Sequence, residues 1–309
     1  MSTADLAKQA GMSEAQWKEA IKFDSTDRGW IIMSIGMAIG AGIVFLPVQV
    51  GLVGVWVFLL SALIAYPSIY LLQRLFINTL ADSPDCNDYP SIIGGYLGKN
   101  WGFFLGILYF MMSLICVFMY STALTNDSAS FLQSFGVTKG LLSDNPLYGL
   151  AVICFMVVVA SRGEQLLFKV STLMVLTKLC VVACLGLLMV QSWDLANLGA
   201  FPDWSYILKQ TIIMLPYTLT SIIFIPCLSP MVISYRSHHT SIHVARYKAM
   251  RAMKIAFFVL FITVFSYAMS FNLAMGHEQA VEAYTNNISA LAMVARGADA
   301  DAVKIFSLI

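Results

Sequence analysis

Three glycines and a proline interrupt a long uncharged stretch near the start of the chain, which reads GMAIGAGIVFLP over residues 36–47. Glycine and proline are the weakest helix formers, so this stretch predicts a membrane helix that breaks part-way. A break near Gly40 frees backbone amides at the start of the outer half-helix, where the helix dipole also favours an anion. The predicted substrate-binding residues here, which would meet a carboxylate, are Gly40, Ala41, Gly42 and Ile43.

The inner half of the same helix offers the complementary chemistry. Carbonyl groups freed around Gly36 and Ile39 suit a cation, so these two residues are candidates for binding a coupling ion. A second interpretation stays open, because Gly36 and Gly40 also form a Gly-xxx-Gly pair, which commonly lets two membrane helices approach closely.

A second group of helix breakers lies in a later apolar stretch, IPCLSP over residues 225–230. Each proline removes a backbone donor and clashes with the preceding turn, although prolines in membrane helices also mark simple kinks. Carbonyl and hydroxyl groups around this break suit an ammonium group, and the candidate residues are Ser221, Cys227 and Ser229. A site that holds a carboxylate at one pole and an ammonium at the other suits a zwitterion such as an amino acid.

Two further side chains within predicted membrane spans are candidates. Lys178 is the only ionisable residue well inside a span, and a buried ammonium is costly enough to suggest a function. It would act as a protonatable cation in place of a sodium ion; the alternative is that it hydrogen-bonds helix carbonyls and serves packing only. Ser113 lies in the third predicted span and is a candidate for lining the substrate cavity.

The composition is that of a polytopic membrane protein. The 309 residues are 59% hydrophobic and only 11% charged, with a mean hydropathy of +0.78. The net charge of +1 gives no reason to expect a nucleic-acid partner. The spacing of the six cysteines matches neither a metal site nor a disulfide framework. Within the spans we find no nucleophile–base arrangement, so we expect neither an enzyme nor a bound cofactor or metal.

The lengths of the apolar stretches predict seven crossings and the start of an eighth near Val303. The predicted crossings cover residues 29–50, 55–77, 101–126, 146–161, 166–190, 208–234 and 255–275. We also predict a short interfacial helix over 89–97, a basic loop over 236–254 and an outer helix over 279–296. Most of the 18 lysine and arginine residues then fall on the side of the amino terminus, which predicts a cytoplasmic amino terminus.

The predicted organisation has two parts. Residues 1–28 are polar and mixed in charge, lack the apolar core of a signal peptide, and are expected to form a cytoplasmic tail. Residues 29–309 are expected to form one transmembrane domain, with a first repeat over about 29–190 and a partial second repeat over about 205–309. Two interrupted spans, five positions apart, are typical of transporters built from inverted repeats.

Several stretches resemble a known family of membrane proteins. The sequences AIGAGIVFLP, ALIAYPSIYLLQRL, SIIFIPCLSPMVISY and NNISAL are similar to the hydroxy/aromatic amino acid permease family, in its bacterial serine/threonine branch. This resemblance implies a leucine-transporter-like fold of two inverted five-span repeats, all-α, in the inner membrane. It places Gly36 and Ile39 where relatives bind a sodium ion, and Gly40 to Gly42 where they bind the substrate carboxylate.

The chain also departs from the family pattern. Cys227 stands where threonine permeases have an asparagine, which leaves the substrate side chain open. Lys178 matches a lysine of certain proton-coupled relatives, so we expect protons rather than sodium as the coupling ion. The chain has fewer spans than the family, so we expect an incomplete fold, a carboxy-terminally truncated permease that cannot transport by itself.

These observations lead to one main prediction and two alternatives. The main prediction is a secondary active transporter that imports serine, or threonine, by cation symport with alternating access; its partners are the amino acid and the lipid bilayer. One alternative is a carrier of cysteine or of an aromatic amino acid. The other is a non-transporting sensor or partner subunit that keeps the fold.

Overall fold

The structure is a computed structural model, and it describes residues 3–44, 46–84, 86–134, 137–140, 142–161, 164–239, 241–285 and 290. The regular structure of these residues is helical. The helices are α1 Thr3–Gln9, α2 Glu14–Ala20, α3 Ser25–Val44, α4 Leu46–Val53, α5 Val55–Asp82, α6 Tyr89–Leu97, α7 Lys99–Ser134, α8 Pro146–Ser161, α9 Glu164–Met189, α10 Trp204–Thr220, α11 Ile225–His238 and α12 Ile242–Thr285. Short 3-10 turns lie at Leu142–Asp144, Val190–Ser192 and Leu195–Leu198.

Five candidate membrane spans are found among the described residues, each long and apolar enough to cross a bilayer. They are Val55–Asp82, Lys99–Phe118, Thr172–Ser192, Trp204–His238 and Ile242–Thr285, and Pro146–Val159 is a shorter apolar helix. The all-helical membrane architecture predicted from the sequence is therefore confirmed. The count of seven crossings stays a prediction, since the first predicted crossing is divided between α3 and α4 and Phe45 lies outside the described residues.

One segment differs from the sequence prediction. Residues 242–254, assigned to a basic loop, form the first turns of α12. The reason is a buried apolar stripe with helical spacing, made by Val244, Ala245, Ala249, Ala252 and Met253. The outer helix predicted to start near 279 is present as the last part of α12, which is described as far as Thr285 and is separated from the preceding turns by a kink at the non-helical Gly276 (φ 72°).

The described chain forms two compact units. The larger one contains α1 to α5, the part of α9 from Ser171 onward, and α10 to α12. In it, α12 packs along α3, α4 and α5, while α10 packs along α5. Aromatic pairs lie in the contact between α5 and α12, including Phe58 with Phe265 at 5.5 Å between ring centroids.

The larger unit also includes the amino-terminal segment. Ser13 caps α2 by accepting a hydrogen bond from the Gln16 amide, and the Gln16 side chain returns one to the Ser13 amide. Trp17 of α2 is buried together with Ala7 and with Val244 of α12. Residues 3–22 are therefore packed against the helical bundle.

The smaller unit covers residues 83–170. Asp88 caps α6, which has the bounds 89–97 predicted for the interfacial helix. Helix α6 packs tightly on α7, because a Cβ atom at Gly102 would lie 2.8 Å from the Gly94 Cα. The Tyr148 hydroxyl donates to Ser128 Oγ at 2.9 Å, which joins α8 to α7.

Candidate functional site

The sixth predicted span is interrupted, as the sequence indicated. Helix α10 ends at Thr220, residues 221–224 are not helical, and α11 begins at Ile225. The break lies before the prolines rather than between them. Pro226 occupies the first turn of α11, where its missing N–H removes no helical hydrogen bond.

Buried polar groups surround this interruption, which we call the polar interruption (residues 221–224 with Ser34, Ser61, Gln73, Thr218 and Cys227). Ser221 is buried and its hydroxyl donates to the Thr218 carbonyl at 2.7 Å. The Ser34 hydroxyl, which is 0% exposed, donates to Cys227 Sγ at 3.6 Å. This contact joins α3 to α11, so the first and sixth predicted spans meet at the break.

Helix α5 contacts the polar interruption at two points. Gln73 Nε2 donates to the Ile222 carbonyl at 3.4 Å. The hydroxyls of Ser61 and Thr218 are 2.6 Å apart. The sequence prediction named Ser221, Cys227 and Ser229, all of which are buried, but missed Ser34, Ser61 and Gln73. The available signal was their polarity within apolar stretches of α3 and α5.

The first predicted span gives a correction. The backbone is helical from Ser25 to Val44, so the helix does not break at Gly40–Gly42. A Cβ atom at Gly36 would lie 2.5 Å from Val175 Cγ2 of α9, so Gly36 allows these two helices to approach closely. This close approach agrees with the packing interpretation of Gly36, and its role in binding a cation stays a prediction. The surroundings of Gly40, Ala41, Gly42 and Ile43 lie outside what the structure describes, and the role of these four residues stays a prediction.

Helix α4 follows, and α12 holds it by its carbonyl groups. Asn272 Nδ2 donates to the Pro47 carbonyl at 3.0 Å. His277 Nδ1 lies 2.7 Å from the Gly51 carbonyl. Because a carbonyl only accepts, Nδ1 of His277 carries the proton in this contact.

The remaining candidates lie elsewhere. Ile39 is buried in α3. Lys178 lies on α9, three residues after Val175, and its side chain is exposed. Ser113 belongs to the smaller unit, where its hydroxyl donates to the Tyr109 carbonyl of its own helix at 2.9 Å. Ser221 and Cys227 thus both lie at the polar interruption, and the roles of Ile39, Lys178 and Ser113 stay predictions.

A second polar region, unlike the first, is charged. Asp24 and Asp27 cap the start of α3 reciprocally, each accepting a hydrogen bond from the other's backbone amide at 2.9 and 3.1 Å. Lys248, which is 1% exposed, lies 2.5 Å from Asp24 and 3.6 Å from Asp27. Arg251 lies 2.7 Å from Asp27, and the Tyr235 hydroxyl donates to Asp27 at 2.6 Å. We call these five residues the ionic cluster.

The ionic cluster fixes the start of α3 against α11 and α12. Arg251 also donates to the Ile21 carbonyl at 2.7 Å, which ties in the amino-terminal segment. Partial burial alone would raise the pKa of Asp24, but its hydrogen bonds to Lys248 and to the Asp27 amide lower it below the ordinary value. Two further contacts lie at the C-terminal end of α5, where Arg246 pairs with Asp82 and Arg236 donates to the Ala81 carbonyl.

Helices long enough to cross a membrane, one of them interrupted at buried polar groups, define a polytopic membrane protein of the transporter class. Comparisons with known proteins narrow this class. Two relatives are each 67% identical to this chain over 306 residues, which are 98% of this chain and 69% of the relative. They are named "Probable serine transporter" in Escherichia coli strain K12 and "Serine transporter" in Escherichia coli O157:H7. More distant relatives are "Serine transporter SdaC" of Escherichia coli strain K12, 24% identical over 92% of this chain and 65% of the relative, and "Threonine/serine transporter TdcC" of Yersinia enterocolitica, 23% identical over 87% of this chain and 63% of the relative.

The chain belongs to the family of bacterial serine transporters that includes SdaC and TdcC. These relatives are transporters and not enzymes, which agrees with the sequence prediction. No family model matches the chain. No solved structure matches it either.

Proposed function

We propose that this protein imports serine across the bacterial inner membrane by cation-coupled alternating access. The names of the relatives support the substrate. The observation that carries the proposal is the polar interruption, because an uncharged break in a membrane helix, lined by buried hydroxyl, thiol and amide groups, suits a small polar solute.

In this proposal the two poles of the amino acid bind different helices. Carbonyl groups of residues 221–224, which lie outside the regular helix, receive the ammonium group together with Ser221 and Ser229. The Ser34–Cys227 pair lies beside the substrate side chain, where a hydroxyl and a thiol can exchange hydrogen bonds with a serine hydroxyl. The carboxylate binds amides of Gly40, Ala41, Gly42 and Ile43, which requires α3 to open locally when the substrate arrives.

The ionic cluster supports the alternating-access part of the proposal. It holds α3, α11 and α12 together at one end of the larger unit by charge-assisted contacts. We propose that this end faces the cytoplasm together with the amino terminus. Import then requires the contacts of the cluster to separate while the substrate leaves.

Coupling to protons rather than sodium is part of the proposal and rests on Lys178. Lys178 lies one turn from Val175, which packs on Gly36 of α3. Movement of α3 would therefore change the surroundings of α9, the helix that carries Lys178. Gly36 and Ile39 are the alternative position for a sodium ion.

The direct test is binding and uptake of radiolabelled serine by the purified chain. Under this proposal we expect binding in detergent that unlabelled serine and threonine displace, and uptake into proteoliposomes that a proton gradient drives without sodium. Such uptake would overturn the expectation, drawn from the number of spans, that the chain cannot transport by itself. Lys178→Met should remove the proton dependence, while Lys209→Met, at an exposed lysine of α10, should keep it. Displacement by cysteine or tryptophan but not by serine would contradict the substrate, and binding without uptake would favour the sensor or partner-subunit alternative.

A further inference from the structure

The side chain of a buried glutamine contacts the interrupted segment of the sixth predicted span. Gln73 is 0% exposed, lies in the apolar helix α5, and its Nε2 donates to the Ile222 carbonyl at 3.4 Å. Because a carbonyl only accepts hydrogen bonds, the nitrogen of the amide must face Ile222, which fixes the orientation of the side chain. Its Oε1 is buried without a hydrogen-bond partner among the described residues.

The Ile222 carbonyl needs an external partner. It lies in residues 221–224, where the backbone is not helical and where carbonyl groups lose the partner that a continuing helix would supply. An unpaired carbonyl in an apolar environment is costly, so a donor from a neighbouring helix stabilises the interruption in one arrangement.

A second contact from the buried side of α5 has the same direction. Ser61, Ala65, Ile69 and Gln73 follow one another at intervals of four and are all buried, so they form a stripe that turns gradually around the helix. The Thr218 hydroxyl gives its single hydrogen to the Met214 carbonyl, so in the 2.6 Å pair Ser61 is the donor. Helix α5 therefore donates to the last turn of α10 and to the segment that follows it.

We propose that Gln73 is a positioning residue that holds the polar interruption against α5, so that the carbonyl groups of residues 221–224 keep the arrangement that receives the substrate. Gln73 acts through the backbone at Ile222 and not by touching the substrate. The link to the substrate rests on the proposed function; the link between Gln73 and the order of the segment does not.

The experiment uses variants that change the hydrogen bond and keep the size of the side chain. Gln73→Leu removes the donor. Gln73→Glu keeps a donor only while the carboxyl group is protonated, because an ionised carboxylate only accepts and repels the Ile222 carbonyl. The Q73E variant therefore creates a pH-dependent contact where the native protein has none. Gln279→Glu, at an exposed position of α12, is the matched control for an added carboxyl group.

The measurement is hydrogen–deuterium exchange of the amides around residues 219–228, in detergent and without amino acid, at about pH 5 and about pH 9. Rates are divided by those of the unfolded chain at each pH. We expect Q73L to exchange about ten-fold faster than the native protein at both values. We expect Q73E to match the native protein at the lower pH and to exchange about ten-fold faster at the higher one. The native protein and Q279E, measured alongside, account for any pH effect on exchange that does not arise at position 73.

Two results would overturn the proposal. One is folded Q73L exchanging at the native rate; the other is Q73E showing no more pH dependence than the native protein and Q279E. If Q73L does not fold, the comparison of exchange rates at the two pH values in Q73E alone still tests the proposal. Serine binding by the native protein is measured separately. Its absence would contradict the proposed function, whereas serine binding together with native exchange rates in Q73L and Q73E would contradict the role of Gln73 alone.

Discussion

The ionic cluster around Asp27 and the polar interruption around Ile222 lie in the same compact unit, yet their buried groups are satisfied in opposite ways. In the cluster, each of the four charges of Asp24, Asp27, Lys248 and Arg251 has at least one partner of opposite sign within 4 Å. The interruption contains hydroxyl, thiol and amide groups and no charge.

The difference follows from what each region must tolerate. A buried charge is stable only while its partner stays in place, so a paired cluster favours one arrangement of α3, α11 and α12. Neutral polar groups cost less to bury and can exchange one partner for another. Gln73 Oε1, unpaired in the described residues, is an acceptor still available for such an exchange. The cluster is therefore suited to holding helices together, and the interruption to receiving a solute.

The largest expected effect comes from removing a charge of the cluster. Asp27→Asn leaves Lys248 and Arg251 without the carboxylate that both contact, at a side chain that is 1% exposed. We expect a loss of about 3–5 kcal/mol of stability, since Arg251 loses its carboxylate partner and the buried Lys248 keeps only Asp24. The measurement is the apparent melting temperature in detergent.

The matched control for Asp27→Asn is Glu19→Gln. Glu19 pairs with Lys22 at 3.7 Å, and both side chains are more than 70% exposed. Removing a solvated pair should leave the melting temperature unchanged. Equal melting temperatures for D27N and the native protein would show that the cluster does not hold the helices.

A smaller effect is expected for Tyr235→Phe, which removes only a hydroxyl. That hydroxyl donates to Asp27 at 2.6 Å, and a hydrogen bond to a charged group contributes about 1.5–3 kcal/mol. Melting of Y235F, D27N and the double variant forms a double-mutant cycle. We expect the double variant to lose less stability than the two single losses added together. Strict additivity would mean that Tyr235 and Asp27 act independently.

The sequence predicted best the features that depend on local pattern. The bounds of α8 match the predicted crossing over 146–161, because a proline begins it and an unbroken apolar stretch follows. Helix α6 also matches, because Asp88 and Pro90 form a recognisable helix start. The interruption of the sixth span was predicted from its prolines, and only its position shifted to residues 221–224.

The features that the sequence did not predict depend on contacts between distant residues. The charges over 236–254 indicated a solvated loop, but Lys248 and Arg251 are paired with acids more than 200 positions away. The contact of Ser34 with Cys227 spans 193 positions. The glycines of α3 indicated a break, whereas Gly36 accommodates Val175 of another helix. The pattern of residues within one segment cannot predict contacts of this kind, because the partner lies in a distant segment.

For the interruption we expect function to change more than stability. Ser34→Ala removes one neutral hydrogen bond to Cys227 Sγ, so the loss of stability should stay below about 1 kcal/mol. Under the proposed function, the dissociation constant for serine should rise roughly ten-fold, measured by displacement of labelled serine. Ser68→Ala removes a hydroxyl from the exposed face of α5 and should change neither quantity. A stability loss as large as that of D27N, with serine binding intact, would remove the contrast between the two regions.

The smallest effect concerns Asp24, the most exposed carboxylate of the cluster. Burial would raise its pKa, but the hydrogen bonds to Lys248 and to the Asp27 amide hold it below the ordinary value of 3.8. A carboxyl group whose pKa is lower in the folded state stabilises the fold above the unfolded pKa, and this contribution is lost as pH falls through the folded pKa. Near neutral pH we therefore expect the difference in melting temperature between the native protein and D24N to stay constant as pH changes. Below about pH 4 we expect this difference to disappear.

The control is Asp203→Asn, which removes a carboxyl group that makes no cap hydrogen bond, and its melting temperature should follow the native profile with pH. Parallel profiles of D24N and the native protein at every pH would mean that Lys248 is held by Asp27 alone, and that the charged region depends on one carboxylate rather than two.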